Sequence, residues 1–187
     1  MTEEVKKVCD ILRKGGVILY PTDTIWGIGC DATNREAVKK IYSIKQRIDS
    51  KSMLVLIDSA DYLDYYVEEV PEIAHSLIEL SEKPITIIYP QAKNVAPDLI
   101  ASDGSLGIRI TKEKFSNSLC KLFKKPIVST SANISRQLAP CFFDEISQEI
   151  KNAVDYVVEY RRNDKTKTQA SSIVKLGKGN VIKVIRE

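Results

Sequence analysis

Short, nearly continuous apolar runs punctuate this chain, and they constrain its fold more than any other feature. Val17-Ile18-Leu19-Tyr20, stopped by Pro21, and Met53-Leu54-Val55-Leu56-Ile57 are too short for helices and read as buried strands. Further strands are expected at 85–89, 106–110 and 126–130. The end reads as all-β, with strands at 154–159, 171–176 and 180–185, the last two joined through Gly177-Lys178-Gly179-Asn180 as a hairpin. Helical periodicity fills the gaps. Val5, Val8, Cys9 and Leu12 share one face over 2–14, with Thr2 to cap the start and Gly15-Gly16 to end it. Thr33-Asn34-Arg35-Glu36 matches the capping box and opens a helix to about Lys45, with Ala37, Ile41 and Ile44 inward. Shorter helices are expected near 59–66, 71–81, 113–123 and 143–152. Helices and strands interleave without a strict strand–helix–strand rhythm, so the expected class is α/β: a mixed, twisted open sheet with helices packed on it.

At 187 residues the chain is expected to form one domain, 1–187. Its 43% hydrophobic and 28% charged residues argue against disorder, and the net charge of +3 permits phosphate-bearing ligands without demanding nucleic acid. Cys9, Cys30, Cys120 and Cys141 are scattered, with no Cys-x-x-Cys pair, so neither a disulfide scaffold nor a metal site is expected and reduced thiols are. The Met-Thr-Glu-Glu-Val-Lys-Lys start is too polar for a signal peptide, and no apolar run approaches the roughly 18 residues of a membrane span. A cytoplasmic protein without membrane contact is the expectation. The polar stretch 163–170 is the expected mobile loop.

Several chemistries are excluded. His75 is the only histidine and sits in an apolar-faced helix, so a Ser-His-Asp triad or a His-x-x-x-His metal site cannot be assembled. Neither a Gly-x-x-x-x-Gly-Lys-Ser/Thr loop nor a Gly-x-Gly-x-x-Gly motif occurs. Four segments carry polar groups that a plain core would not need. Pro21-Thr22-Asp23-Thr24-Ile25-Trp26-Gly27 follows a strand and offers hydroxyls and a carboxylate, or is an ordinary turn. Lys45-Gln46-Arg47-Ile48-Asp49-Ser50-Lys51 could gather a triphosphate, though cations also suit the last turn of any helix. Leu106-Gly107-Ile108-Arg109-Ile110 sets one arginine in an apolar strand. Pointing inward it requires an anionic partner, and pointing outward it requires none; alternation does not decide which. Ser129-Thr130-Ser131-Ala132-Asn133-Ile134-Ser135 is a donor-rich strand end or a turn. Together, cations, hydroxyls and an asparagine at several strand ends suit an anionic substrate and a reaction driven by positioning and electrostatics.

In this order the segments resemble the YrdC/TsaC-type threonylcarbamoyl-AMP synthases over nearly the whole chain. The matching pieces are Pro21-Thr22-Asp23-Thr24 with Gly27 and Gly29, Lys45-x-Arg47, Gly107-Ile108-Arg109, Ser131-Ala132-Asn133 and Ser171-Ser172-Ile173-Val174. The resemblance implies a YrdC-like twisted sheet with a large basic cavity. It further implies synthesis of threonylcarbamoyl-AMP from L-threonine, bicarbonate and ATP, with Mg2+ accompanying the nucleotide. The product would pass to a downstream threonylcarbamoyl-transferase complex acting on tRNA. Carried over by position, Lys45, Arg47 and Lys51 would hold phosphates, with Lys45 and Arg47 catalytic. Ser105, Asn133 and Arg186 would touch the nucleotide, and Thr24, Arg109, Ser131 and Ser171 the threonine, with Arg109 on its carboxylate. Departures are Ile48 and Ser52-Met53 where the family carries prolines and Pro-Leu, and Arg136 where it carries glycine. The alternatives weighed are a non-catalytic factor binding tRNA or double-stranded RNA and a carbamoyl-adenylate enzyme of the hydrogenase-maturation type.

Overall fold

A computed structural model describes residues 1–46, 53–168, 170–177 and 181–187. Helix α1 (Thr2–Arg13) buries Val5, Val8, Cys9 and Leu12, and Gly15 follows its end at φ +76, a left-handed turn that favours glycine. Strand β1 (Ile18–Tyr20) is wholly buried and pairs antiparallel with β2 (Gly27–Gly29). Helix α2 (Arg35–Ile44) starts one residue later than the Thr-x-x-Glu reading implies. Its cap is Asn34, whose side chain accepts from Ala37 N, while Thr33 donates its hydroxyl to Asp31 Oδ1 at 2.6 Å. The acidic neighbour takes the threonine hydroxyl away from the helix end.

Strand β3 (Leu54–Ile57) leads to a 3-10 turn (Ala60–Tyr62) and single-turn helix α3 (Leu63–Tyr66), then helix α4 (Glu72–Leu80) and strand β4 (Ile85–Tyr89). Strand β5 (Leu106–Ile110), helix α5 (Lys114–Phe123) and strand β6 (Ile127–Ser131) follow. The helix expected near 143–152 is divided into a 3-10 turn (Phe143–Glu145) and helix α6 (Gln148–Ala153), which Ser147 caps. Strands β7 (Tyr156–Val157), β8 (Ser172–Leu176) and β9 (Ile182–Arg186) complete the chain. The loop of the β8–β9 hairpin lies outside the described residues.

The strands join one sheet in the order β7-β1-β2-β6-β3-β5-β4-β8-β9, with parallel pairs at β7–β1, β3–β5 and β4–β8. The mixed sheet is therefore as expected, with β2 added to it. Register sorts the side chains by face. Gly27 lies opposite Ser131, Leu54 opposite Ser129, and Leu56 opposite Arg109, so one face near the sheet centre carries glycines, serines and an arginine. Val55, Ile108, Ile87 and Val128 alternate to the other face and are buried. No helix among the described residues is long and apolar enough to cross a membrane. The four cysteines are free, and burial pushes the Cys9 thiol up to about 11.

Close packing explains the glycines of β2. A Cβ on Gly29 would stand 2.5 Å from the Val128 carbonyl oxygen and 2.6 Å from Tyr20 Cε1. Gly29→Ala is expected to destabilise the fold by about 2–3 kcal/mol, measured by urea denaturation, because backbone on one side and a buried ring on the other leave no room to relax.

Candidate functional site

The polar face of the sheet opens into a cavity of about 300 Å³. Thr24, Arg109, Ser131, Ser171 and Arg186 all line it, so five residues singled out from distant parts of the chain meet at one place. Ser129, Trp26 and Ile173 complete much of its wall. A larger cavity of about 570 Å³, lined in part by Asp23, Lys83 and Lys167, shares Ala170 with it.

The turn after β1 builds one wall. Thr22 Oγ1 donates to Ile25 O at 2.7 Å and accepts from Thr24 N at 3.1 Å, so the first threonine folds the turn that presents the second. Thr168 closes the arrangement from the polar loop by donating its hydroxyl to Thr24 O. That loop is anchored elsewhere as well. Arg161 reaches Thr22 O at 3.2 Å and Asp164 at 2.8 Å, and Lys165 pairs with Asp144.

Arg109 points inward and is only 3% exposed. Its partner comes from the same turn: Nη2 lies 3.2 Å from Asp23 Oδ1, and Nη1 donates to Thr24 Oγ1 at 3.3 Å. The ion pair is not aligned as a hydrogen bond, because Asp23 Oδ1 receives none, and Arg109 Nε is buried without an acceptor. Burial pushes the Asp23 carboxyl up and the Arg109 guanidinium down, each opposed by the other's charge. The site thus holds one arginine whose donors are incompletely used.

Ser171 and Arg186 line the same cavity. Arg186 Nε and Nη2 donate to Ser171 O at 2.9 and 2.8 Å, and the Ser171 hydroxyl shares a 2.8 Å hydrogen bond with Thr86. Two arginines therefore line one cavity, and Arg186 adds to the forces that lower Arg109.

Lys45 departs from expectation. A lysine at a helix exit reads as exposed, yet it is 1% exposed beneath the turn after β6. Its Nζ donates to Ser131 O at 2.5 Å and to Asn133 O at 2.7 Å. The turn that covers it comes from far along the chain, so no local pattern announces this burial. Asn133 in turn donates its amide to Ile134 O and Gln137 O at 3.0 and 2.8 Å, and its Oδ1 is buried without a partner. Arg47 and Lys51 lie outside the described residues.

Ser105 is not brought to the cavity wall. Its hydroxyl donates to Asp103 Oδ1 at 2.5 Å. Hydrogen bonds from Lys175 and Ser105 hold the Asp103 carboxyl down to about 2. Sequence reading placed Ser129 in the donor-rich segment but gave it no role, although it lies two residues before Ser131 in one strand and so shares its face. It also left Asp23 without a role.

A family model for the Sua5/YciO/YrdC domain, described as "Telomere recombination", matches residues 10–187. The threonylcarbamoyl-AMP synthase of Pseudoalteromonas translucida is 34% identical over 79% of this chain and 81% of its own. That of Vibrio cholerae is 32% identical over 85% of this chain and 86% of its own. Among solved structures, Escherichia coli YciO superposes with a TM-score of 0.86 at 23% identity, covering 100% of this chain and 90% of its own. Pyrococcus abyssi Sua5 complexed with L-threonine superposes with a TM-score of 0.81 at 22% identity, covering 92% of this chain; the chain spans 50% of that longer protein.

Two stability predictions follow from the buried charges. Asp23→Ala strands the Arg109 guanidinium and is expected to cost about 3 kcal/mol. Lys45→Ala leaves the Ser131 and Asn133 carbonyls short of a donor and is expected to cost about 2 kcal/mol. Chemical denaturation of each variant against wild type checks both, and unchanged midpoints would contradict the burial argument.

Proposed function

The chain belongs to the Sua5/YciO/YrdC family, and from that membership we propose that it is an L-threonylcarbamoyladenylate synthase. It joins L-threonine, bicarbonate and ATP into threonylcarbamoyl-AMP and pyrophosphate. The observation that carries the reading is the convergence of Thr24, Arg109, Ser131, Ser171 and Arg186 on one cavity. The named relatives support it at more than 30% identity over most of their length.

The chemistry needs a carbamate and a phosphoryl electrophile side by side. Threonine's amine adds to the carbon of bicarbonate, losing water, and gives an N-carboxylate. One oxygen of that carboxylate attacks the α-phosphorus of ATP; the bond to the bridging oxygen breaks, and pyrophosphate leaves with the electron pair. Every species is anionic, so the protein's part is to gather like charges and hold them in line. Arg109 Nε and the hydroxyls of Thr24, Ser131 and Ser171 hold threonine, with the guanidinium on its carboxylate. Arg186, with the Asn133 region and the segment of Arg47 and Lys51, takes the nucleotide. Lys45 contributes positive charge beneath the Ser131–Asn133 turn and fixes the shape of that turn. Ser105 acts at most through Asp103 and the strand start. Mg2+ enters as part of the substrate, on the phosphate oxygens, as the family resemblance implies. The free cysteines fit a cytoplasmic setting, from which threonylcarbamoyl-AMP passes to a transferase acting on tRNA.

Purified protein with ATP, bicarbonate and Mg2+ is expected to release pyrophosphate only when L-threonine is present, with the adenylate seen by mass spectrometry. Arg109→Gln is expected to raise the KM for threonine at least tenfold while the KM for ATP moves little. Salt-sensitive RNA binding without any adenylate would instead favour the non-catalytic reading.

A further inference from the structure

Arg136 holds a backbone conformation that arginine rarely adopts. Its φ is +72, in the left-handed region where glycine is at ease and a side chain is strained. It is the third residue of a turn that Gln137 N closes by donating to Ile134 O at 3.1 Å, a position that favours glycine when φ is positive. The surroundings keep it there. Asn133 Nδ2 donates to both Ile134 O and Gln137 O, Ser135 N donates to Lys45 O at 2.9 Å, and Lys45 Nζ ties down the carbonyls of Ser131 and Asn133. Other residues at positive φ have local reasons for it. Lys124 ends helix α5, and Arg161 engages its guanidinium with Asp164, Thr22 O and Glu113. Arg136 does neither: it is exposed, and among the described residues its guanidinium makes no hydrogen bond or ion pair. Its turn lies between Ser131 and Ala139, which both line the cavity of Arg109.

We propose that Arg136 is a nucleotide-binding residue that grips the β- and γ-phosphates of ATP at the cavity rim; the inference rests on the synthase reading above. The reaction fixes the side on which those phosphates lie. Threonine's N-carboxylate attacks the α-phosphorus in line, so the leaving pyrophosphate points away from Arg109 and the hydroxyls around the amino acid. The group that receives it has to be cationic, uncommitted within the folded chain and outside the threonine pocket. Arg136 meets all three conditions. Its turn is fastened to the backbone of Lys45, which opens the Lys45-x-Arg47 pair, and a guanidinium fork can take two phosphate oxygens at once. Strain that a well-braced turn imposes on an unpaired arginine is then a cost carried for the ligand and not for the fold.

Arg136→Gly separates the two, because stability and binding are expected to move in opposite directions. Glycine suits φ +72, so the urea midpoint of the variant is expected at or above that of wild type, which also shows that it is folded. In threonine-dependent pyrophosphate release its KM for ATP is expected to rise about tenfold, while the KM for threonine moves little. Calorimetric titration is expected to show a comparable loss for ATP and for pyrophosphate, but a change of less than about twofold for AMP, which lacks both outer phosphates. Arg136→Lys keeps the charge without the fork and is expected to fall between. A wild type that binds ATP and turns over, with a glycine variant of equal ATP affinity, overturns the proposal and leaves the synthase reading standing. An AMP affinity that falls as far as that of ATP overturns it as well. A wild type that binds no ATP overturns the synthase reading and the proposal together.

Discussion

The contact between Arg109 and the turn after β1 holds the functional face together. Arg109 sits on a central strand, and Asp23 and Thr24 arrive from a turn far away in sequence. A guanidinium that is 3% exposed has to be compensated inside the protein, and the carboxylate that compensates it fixes where the turn lies. Thr22 then sets the turn's shape, and Thr168 ties the polar loop to it. A cavity wall built from three chain segments thus depends on one buried charge. The same pair leaves Arg109 Nε unused, a donor that an arriving carboxylate can satisfy.

Glycines and serines on the same sheet face make room for this arrangement. Gly27 stands opposite Ser131, and at Gly29 any side chain would collide with backbone. Small residues at these positions leave the face hollow, while the opposite face fills with β-branched and aliphatic side chains. The hollow is walled by hydroxyls and two arginines. Lys45 supports it from below through two carbonyls of the turn after β6, so a residue read as a ligand group is first of all a strut of the site.

Much of this was legible in the sequence, and the failures have physical causes. Buried strands announce themselves as apolar runs, and the predicted strands at 85–89 and 106–110 coincide with β4 and β5. Strand β2 was missed because Gly-Ile-Gly reads as a turn; only its pairing with β1 and β6 makes it a strand. Thr33 was given the cap that belongs to Asn34 because the competing carboxylate of Asp31 is a tertiary feature of the loop. Alternation cannot orient an arginine in an apolar strand, since the deciding partner, Asp23, is a long-range contact. Ser129 was within reach, because period-two spacing from Ser131 places it on the same wall. Ser105 was carried over by position alone, and its hydroxyl belongs to the Asp103 turn.

In the proposed function the Arg109 cavity binds the amino acid through its carboxylate. The most direct measurement is calorimetric titration of L-threonine into wild type and Arg109→Gln, with folding of the variant confirmed beforehand. Measurable binding to wild type and at least a tenfold loss in the variant are expected, together with no binding of the threonine analogue lacking the carboxylate. Equal affinity of the two proteins for threonine would contradict it and would move the amino acid to another part of the cavity.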